Sequence, residues 1–136
     1  MNIDKFKQQH VEILTRIAAL RDLVKSGIRD NAAEISQMII AMSSIIKLHL
    51  AVEDRILYPA LQAAKNPALA RMGQRFQDEM TSIAQAYLDF ARRWNTPATV
   101  SGSPERFRAD ANSVLKLLYE RMRKEDVDFY PVIEAN

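Results

Sequence analysis

The sequence predicts an all-α protein, an antiparallel up-down-up-down four-helix bundle with an internal two-fold pseudo-repeat. Apolar residues recur at spacings of three and four along four long stretches, which is typical of helices that bury one face. No stretch alternates between apolar and polar residues with a period of two, so no strand is predicted. The breaks between the stretches are short, which favours antiparallel neighbours. We expect one domain that covers residues 1–136.

The first two helices begin and end at recognisable signals. The first is predicted over residues 3–26, and Gly27 follows it as a natural stop. Asp30 and Asn31 have the side chains that cap the start of a second helix. Pro59 is expected to end or kink this second helix, because proline removes a backbone donor and crowds the preceding turn.

The last two helices are introduced by proline. Asn66 followed by Pro67 combines a capping side chain with proline at the first helical position, so the third helix is predicted to start there. Residues 95–103 have the composition of a loop. The fourth helix is predicted to start at Pro104 and to stop at Pro131.

Composition excludes several classes of protein. Apolar residues make up 48% and charged residues 26% of the 136 residues, and the net charge is +2, as in ordinary soluble domains. The absence of cysteine excludes disulfides and thiolate metal sites. No uninterrupted apolar run reaches the roughly 18 residues of a membrane span, and no signal-peptide pattern is present. We therefore expect a cytoplasmic protein with no nucleic-acid partner and no membrane partner.

The stretch HLAVEDRILYPAL, residues 49–61, carries the main candidate for chemistry. His49 and Glu53 are four residues apart, so on a helix they share one face and can bind the same metal ion. A short motif of this kind also fits a buried histidine that is hydrogen-bonded near a helix end. His10 lies in the apolar seam of the first helix and is the only other histidine.

A partial repeat strengthens the metal interpretation. The pattern E-D-x-x-x-Y-P occurs twice, beginning at Glu53 and again at Glu125. Both copies fall near the ends of predicted helices, which suggests that the two halves of the bundle are related. Under that relation His10 corresponds to Met80, and His49 corresponds to Arg121. The tyrosines of the two copies, Tyr58 and Tyr130, are expected to lie at the ends of the bundle.

With the segments FKQQHVEIL, HLAVEDRILYPAL and RMRKEDVDFYPVI, the chain resembles the hemerythrin-like, or HHE cation-binding, domains over nearly its whole length. The resemblance implies an antiparallel four-helix bundle around a non-heme di-iron centre that binds or senses dioxygen, nitric oxide or iron. In that family, one iron takes histidines from the first and second helices. The other iron takes two histidines from the third helix and one from the fourth, and two carboxylates bridge the metals.

The resemblance assigns one complete half of this centre. His10 and His49 stand at the positions of the first iron's histidines. Glu53 stands at one bridging position and Glu125 at the other, with Asp126 as an alternative to Glu125.

The second half of the centre is not preserved. The three positions that would bind the second iron hold Phe76, Met80 and Arg121. We therefore predict at most one metal ion per chain. A buried guanidinium must be paired, so Arg121 is expected to bridge Glu53 and Glu125 and to supply the charge of the missing iron. Alternatively, its side chain extends along the bundle to reach water.

These observations predict a cation-binding or sensory protein rather than an enzyme, with no catalytic residues assigned. The metal is one Fe, Mn or Zn ion, since all three accept imidazole and carboxylate donors, and a small diatomic molecule is the expected ligand. A second interpretation is a metal-free regulatory or protein-interaction bundle, in which the histidines and carboxylates form a hydrogen-bonded network. A third is a mononuclear non-heme iron enzyme that acts on oxygen or peroxide. The protein partner and the oligomeric state are not predicted.

Overall fold

The computed structural model describes all 136 residues and contains five helices and no strand, with 88% of the chain helical. The all-α class is therefore confirmed. Helix α1 covers Asp4–Ser26, α3 covers Pro67–Arg93, and the short α4 covers Pro97–Gly102. Two helices contain an internal π-helical segment. The first is α2, with the segments Ala32–Val52, Glu53–Leu57 and Tyr58–Ala63. The second is α5, with Pro104–Lys124, Glu125–Phe129 and Tyr130–Ala135.

The two π-helical segments coincide with the two copies of E-D-x-x-x-Y-P. In the first copy the Tyr58 N–H donates to the carbonyl of Glu53, and in the second the Tyr130 N–H donates to that of Glu125. Each proline follows directly, so the widened turn accommodates a residue that lacks an N–H and would crowd an α-helical turn. The prediction that Pro131 stops the last long helix is wrong, because α5 continues to Ala135.

The connections differ in part from the prediction. Asn66 caps α3 as expected, since its side chain accepts from the N–H groups of Ala68 and Leu69. Asn31 makes no capping bond, and its amide donates instead to the carbonyl of Gly27. The prediction of a loop over residues 95–103 is wrong. Thr96 and Pro97 start the helix α4 there, since the Thr96 hydroxyl caps the N–H of Thr99 and the buried Val100 anchors the segment.

The core consists of two apolar clusters of 23 and 10 residues. A layer of buried polar side chains interrupts it. Along α1, Phe6 belongs to the smaller cluster and Ile13 to the larger one, and His10 lies between them. We call this the polar layer, and its members are His10, His49, Glu53, Arg121 and Glu125.

Helix α2 is long and apolar enough to cross a membrane, with a mean hydropathy of 1.6 over its most apolar 18-residue window. This is weak evidence, because the core helix of a soluble protein meets the same criterion. The helix also carries the buried His49 and Glu53, and ionisable groups are costly inside a bilayer. The expected cytoplasmic location and the absence of a membrane partner stay predictions.

The close contact between α2 and α3 at Gly73 provides a test of the packing. A Cβ atom added at Gly73 would lie 3.2 Å from Leu61 Cβ and 3.1 Å from its Cδ1. Gly73→Ala should therefore lower the free energy of unfolding by about 1 kcal/mol, because overpacking outweighs the helix propensity of alanine. Gly102→Ala is the control, since no atom lies within 4 Å of its added Cβ. Urea unfolding measures both variants, and a stabilised Gly73→Ala protein would contradict the described packing.

Candidate metal centre

The candidate centre lies in the polar layer, where α1, α2 and α5 meet. His10 comes from α1, His49 and Glu53 from α2, and Glu125 from the start of the π-helical segment of α5. All four side chains are buried, and both carboxylates are completely inaccessible to solvent. The structure thus brings together the four residues that the sequence nominated.

The two imidazoles face each other through the same nitrogen. Nε2 of His10 lies 3.2 Å from Nε2 of His49. On the outer side, His10 Nδ1 lies 2.8 Å from Asp126 Oδ1, and His49 Nδ1 lies 2.7 Å from Gln9 Oε1. Carboxylate and amide oxygens only accept, so each Nδ1 carries the proton and donates outward. In the neutral form of both rings, the Nε2 lone pairs therefore point into the centre, in the arrangement of metal-ligating histidines.

The carboxylates add two oxygens to this centre. Oε1 of Glu53 lies 2.9 Å from His49 Nε2, and Oε1 of Glu125 lies 3.1 Å from His10 Nε2. Neither oxygen has a hydrogen-bond donor despite these short distances. When both imidazoles are neutral and carry their proton on Nδ1, each oxygen faces a nitrogen lone pair. Two buried acceptors in contact are unfavourable unless a proton or a cation lies between them.

Electrostatics also favour a positive charge here. Burial raises the pKa of the Glu125 carboxyl, and the nearby charge of Glu53 raises it further. Burial lowers the pKa of the His10 imidazole, but Glu125 and Asp126 outweigh this effect, and its pKa is raised overall. Both shifts mean that the site attracts positive charge.

The donor set fits a single metal ion. Ligand atoms of His10, His49 and Glu125 lie within 4.8 Å of one another. Glu53 is outside this group of three but contacts His49 directly. Two imidazole nitrogens and two carboxylate oxygens suit Fe, Mn or Zn. Asp126, considered above as an alternative to Glu125, instead lies behind His10 as its Nδ1 partner.

A comparison with protein families decides what kind of protein this is. The family model for the hemerythrin HHE cation binding domain matches residues 1–133. The chain belongs to the hemerythrin HHE family. No curated protein and no solved structure matches it.

Two tyrosines also contact the candidate centre of this hemerythrin HHE chain. Tyr58 and Tyr130 lie in the smaller apolar cluster, together with residues near the helix ends such as Ile3 and Ile133, and their hydroxyls reach the polar layer. The Tyr58 hydroxyl donates to Glu53 Oε2 at 3.3 Å, and the Tyr130 hydroxyl lies 3.0 Å from His10 Nε2. Burial and the nearby carboxylates raise the pKa of both phenols, so both hydroxyls keep their protons. The Tyr-Pro pair that follows each glutamate at the same spacing is the sequence feature that could have indicated these contacts.

The three residues expected at the ligand positions of a second iron are buried. Phe76 and Met80 are each 2% exposed, and Arg121 is 3% exposed. The Phe76 ring stacks on Phe129 with centroids 4.1 Å apart, and the Arg121 guanidinium lies 4.6 Å from the Phe76 centroid. An aromatic stack and a cation therefore fill this half of the polar layer.

Arg121 makes one of its two expected ion pairs. Its Nη2 lies 3.4 Å from Glu125 Oε2 and donates to the Phe76 carbonyl at 2.6 Å. The expected pair with Glu53 does not form within 4 Å. Its Nη1 binds Glu79 at 3.3 Å instead. Arg121 and Glu125 are four apart on one helix and share a face, whereas the second oxygen of Glu53 is held by Tyr58. The alternative, in which Arg121 reaches water, is wrong.

Glu79 and Gln9 are the contributors that the sequence did not identify. Glu79 is 43% exposed and also binds Lys124, so its sequence context is that of an ordinary solvated helix face. Gln9 directly precedes His10, and nothing in its spacing indicates that it contacts His49.

The buried pair of Arg121 and Glu125 predicts a coupling in stability. Arg121→Met should destabilise the chelator-treated protein by about 3 kcal/mol, because it leaves a buried carboxylate without its partner. Adding Glu125→Gln should recover much of this loss, as expected for residues in contact. Arg123→Met, which changes an exposed arginine two residues away, is the control and should change stability by less than about 0.5 kcal/mol. Urea unfolding of these proteins and of Glu125→Gln alone measures the coupling, and a neutral Arg121→Met would contradict it.

Proposed function

We propose that the protein is a cation-binding sensor that holds one transition-metal ion per chain. The ligands are Nε2 of His10 and His49 together with carboxylate oxygens of Glu53 and Glu125. Iron is the proposed metal because it is the metal that the family resemblance implies, and Mn(II) and Zn(II) accept the same donors. In this proposal, the chain retains one half of a non-heme di-iron site.

One observation carries this proposal. The outer nitrogens of both histidines are hydrogen-bonded, so both inner lone pairs are directed at the same point. Two carboxylate oxygens without donors adjoin that point. Such a group of buried acceptors is expected where a cation binds, and the Tyr130 hydroxyl is the hydrogen-bond donor that the chain offers to it.

The limit of one ion follows from the residues in the other half. Phe76 and Met80 offer no oxygen or imidazole donor, and Arg121 brings a permanent charge. Arg121 neutralises part of the charge of Glu125 and holds its Oε2, while Oε1 remains directed at His10. We propose that this guanidinium takes over the electrostatic role of the second iron.

The sensory role rests on the way that the centre joins separate helices. A bound ion would link α1, α2 and α5 at one point and so change how firmly they are held together. When bound, iron would supply Lewis acidity and a change of oxidation state. The chain's own residues orient the imidazoles through Asp126 and Gln9, hold Glu53 through Tyr58, and exclude bulk water by burial.

A small diatomic molecule is the proposed sensed ligand. A cleft of about 210 Å³ between α2 and α3 is lined at its inner end by the buried Tyr58 and Met80. The Tyr58 hydroxyl connects this end of the cleft to Glu53. The small volume of this cleft and the burial of the centre favour a small molecule over a larger substrate.

We also propose the finer architecture. The four long helices run up-down-up-down in one antiparallel domain that covers residues 1–136, and the halves are related by a pseudo-two-fold axis. The recurrence of a π-helical segment at Glu53 and at Glu125 supports this relation.

A metal-free interaction bundle is the second candidate, and one observation favours it. Tyr130 already offers a hydroxyl to His10, and Arg121 already pairs with Glu125. Much of the polar layer is therefore satisfied without an ion. In this alternative the fold presents a surface to a protein partner, and the layer only fixes the packing of the helices.

Metal stoichiometry separates these candidates. Protein purified without chelator should contain up to one metal ion per chain, and metal-stripped protein should take up one equivalent of Fe(II), Mn(II) or Zn(II). Glu53→Gln should weaken this binding by at least about tenfold, because it removes an anionic ligand. Asp54→Asn is the matched control, since it neutralises the adjacent, exposed carboxylate. Two irons per chain with bridged di-iron absorption bands would refute the half-site, and no uptake of any of the three metals would favour the metal-free bundle.

Arg121→His tests the origin of the centre. The substitution restores an imidazole at the fourth-helix position of the missing half and releases Glu125 Oε2 from its ion pair. Metal affinity should therefore rise, while Phe76 and Met80 still prevent binding of a complete second iron. Calorimetric titration compares the variant with the parent and with Arg123→His as a surface control. Equal affinity in all three proteins would mean that Arg121 does not occupy a former ligand position.

A further inference from the structure

The Tyr130 hydroxyl lies at the centre of the candidate site rather than behind it. Its oxygen is 3.0 Å from His10 Nε2, the nitrogen whose lone pair faces the other ligands. The Tyr130 ring also stacks on the His10 imidazole, with centroids 4.9 Å apart and planes inclined by 27°. The side chain is fully buried, so packing fixes the direction of its hydroxyl.

The repeated sequence alone does not place a tyrosine hydroxyl beside a histidine nitrogen, as a comparison of Tyr130 with Tyr58 shows. It occupies the corresponding place in the first copy of E-D-x-x-x-Y-P and is equally buried. Its hydroxyl binds Glu53 Oε2, whereas Glu53 Oε1 is the oxygen that faces His49. Tyr58 therefore holds a ligand from its outer side, and only Tyr130 contacts a metal-facing atom.

We propose that the phenol oxygen of Tyr130 is itself a ligand of the metal, an inference that rests on the proposed function. A cation bound to His10 Nε2 takes the lone pair to which the hydroxyl now donates. The hydroxyl is buried, and leaving it without a partner is costly, so the cation becomes its new partner. On binding, the O–H bond breaks, the proton passes to solvent, and the phenolate oxygen shares an electron pair with the metal.

This ligand also selects the metal. The phenolate adds a third anionic oxygen to the carboxylates of Glu53 and Glu125, and Arg121 neutralises only part of the charge of Glu125, so the site favours a highly charged cation. Phenolate is a hard oxygen donor of the kind that binds ferric iron in haem proteins with tyrosine ligation. The proposal therefore assigns a ferric ion, supplied in that oxidation state, as the preferred occupant over Zn(II) or Mn(II).

The experiment uses the absorption of ferric phenolate complexes. Metal-stripped protein is loaded with one equivalent of ferric nitrilotriacetate, and its visible absorption and resonance Raman spectra are recorded. The wild-type protein should develop a phenolate-to-iron charge-transfer band whose Raman spectrum contains tyrosine ring modes. Tyr58→Phe is the matched control and should keep the band. Tyr130→Phe should lose the band and bind ferric iron at least about tenfold more weakly, with a smaller loss for Zn(II).

The outcomes distinguish this proposal from the proposed function. Uptake of one metal without the band, or a band that persists in Tyr130→Phe, overturns the Tyr130 assignment and leaves the metal site standing. Failure to bind any metal overturns both. If Tyr130→Phe does not fold, the wild-type protein and Tyr58→Phe still decide, because only two other tyrosines remain. The Tyr87 hydroxyl donates to the Ile39 carbonyl, and Tyr119 is exposed on the surface, so a band in both proteins identifies Tyr130.

Discussion

The arrangement of the polar layer depends on two hydrogen bonds at its edge, from the Nδ1 atoms of His10 and His49 to Asp126 and Gln9. These bonds fix which nitrogen of each ring carries the proton. When both rings are neutral, two lone pairs meet inside the protein, on nitrogens 3.2 Å apart. Other side chains in and beside the layer place hydrogen-bond donors next to these acceptors. A hydroxyl approaches one of the nitrogens, and a guanidinium holds the farther oxygen of a carboxylate.

Such a layer is difficult to explain by stability alone. Buried charges lose hydration, and replacing them with well-packed apolar side chains is often neutral or stabilising. Here they lie between two apolar clusters. Three buried polar atoms also lack hydrogen-bond partners, namely Glu53 Oε1, Arg121 Nε and Glu125 Oε1. Unsatisfied atoms of this kind indicate that the layer has a function that its packing does not provide.

Much of this organisation could be predicted from the sequence, because it follows from helical periodicity. Spacings of three and four placed His10 and His49 on buried faces, and the requirement for a partner placed Arg121 beside Glu125. Contacts that depend on the path of the backbone were not predictable in this way. Each tyrosine directly follows a π-helical turn, and the contacts of the Tyr58 and Tyr130 hydroxyls with Glu53 and His10 were not predicted.

The ion pair that involves Glu79 was missed for a different reason. The side chain is half exposed and has the context of any surface carboxylate, so its selection by Arg121 depends on how closely two helices approach. The helix α4 was missed because its residues have the composition of a loop. The Thr96 cap and the burial of Val100 outweigh that composition.

The guanidinium of Arg121 is covalently part of the chain, and this affects how the stability of the protein depends on the metal concentration. A cation that is part of the protein is present at every metal concentration, so this half of the layer keeps its charge balance when free metal is scarce. In the proposed one-ion site, only one dissociable ion then contributes to the folding equilibrium. The ratio of folded to unfolded protein should therefore rise in proportion to the first power of free metal concentration once that concentration exceeds the dissociation constant. A two-ion centre would follow the second power, so this chain responds to metal supply gradually over a wide range of concentrations.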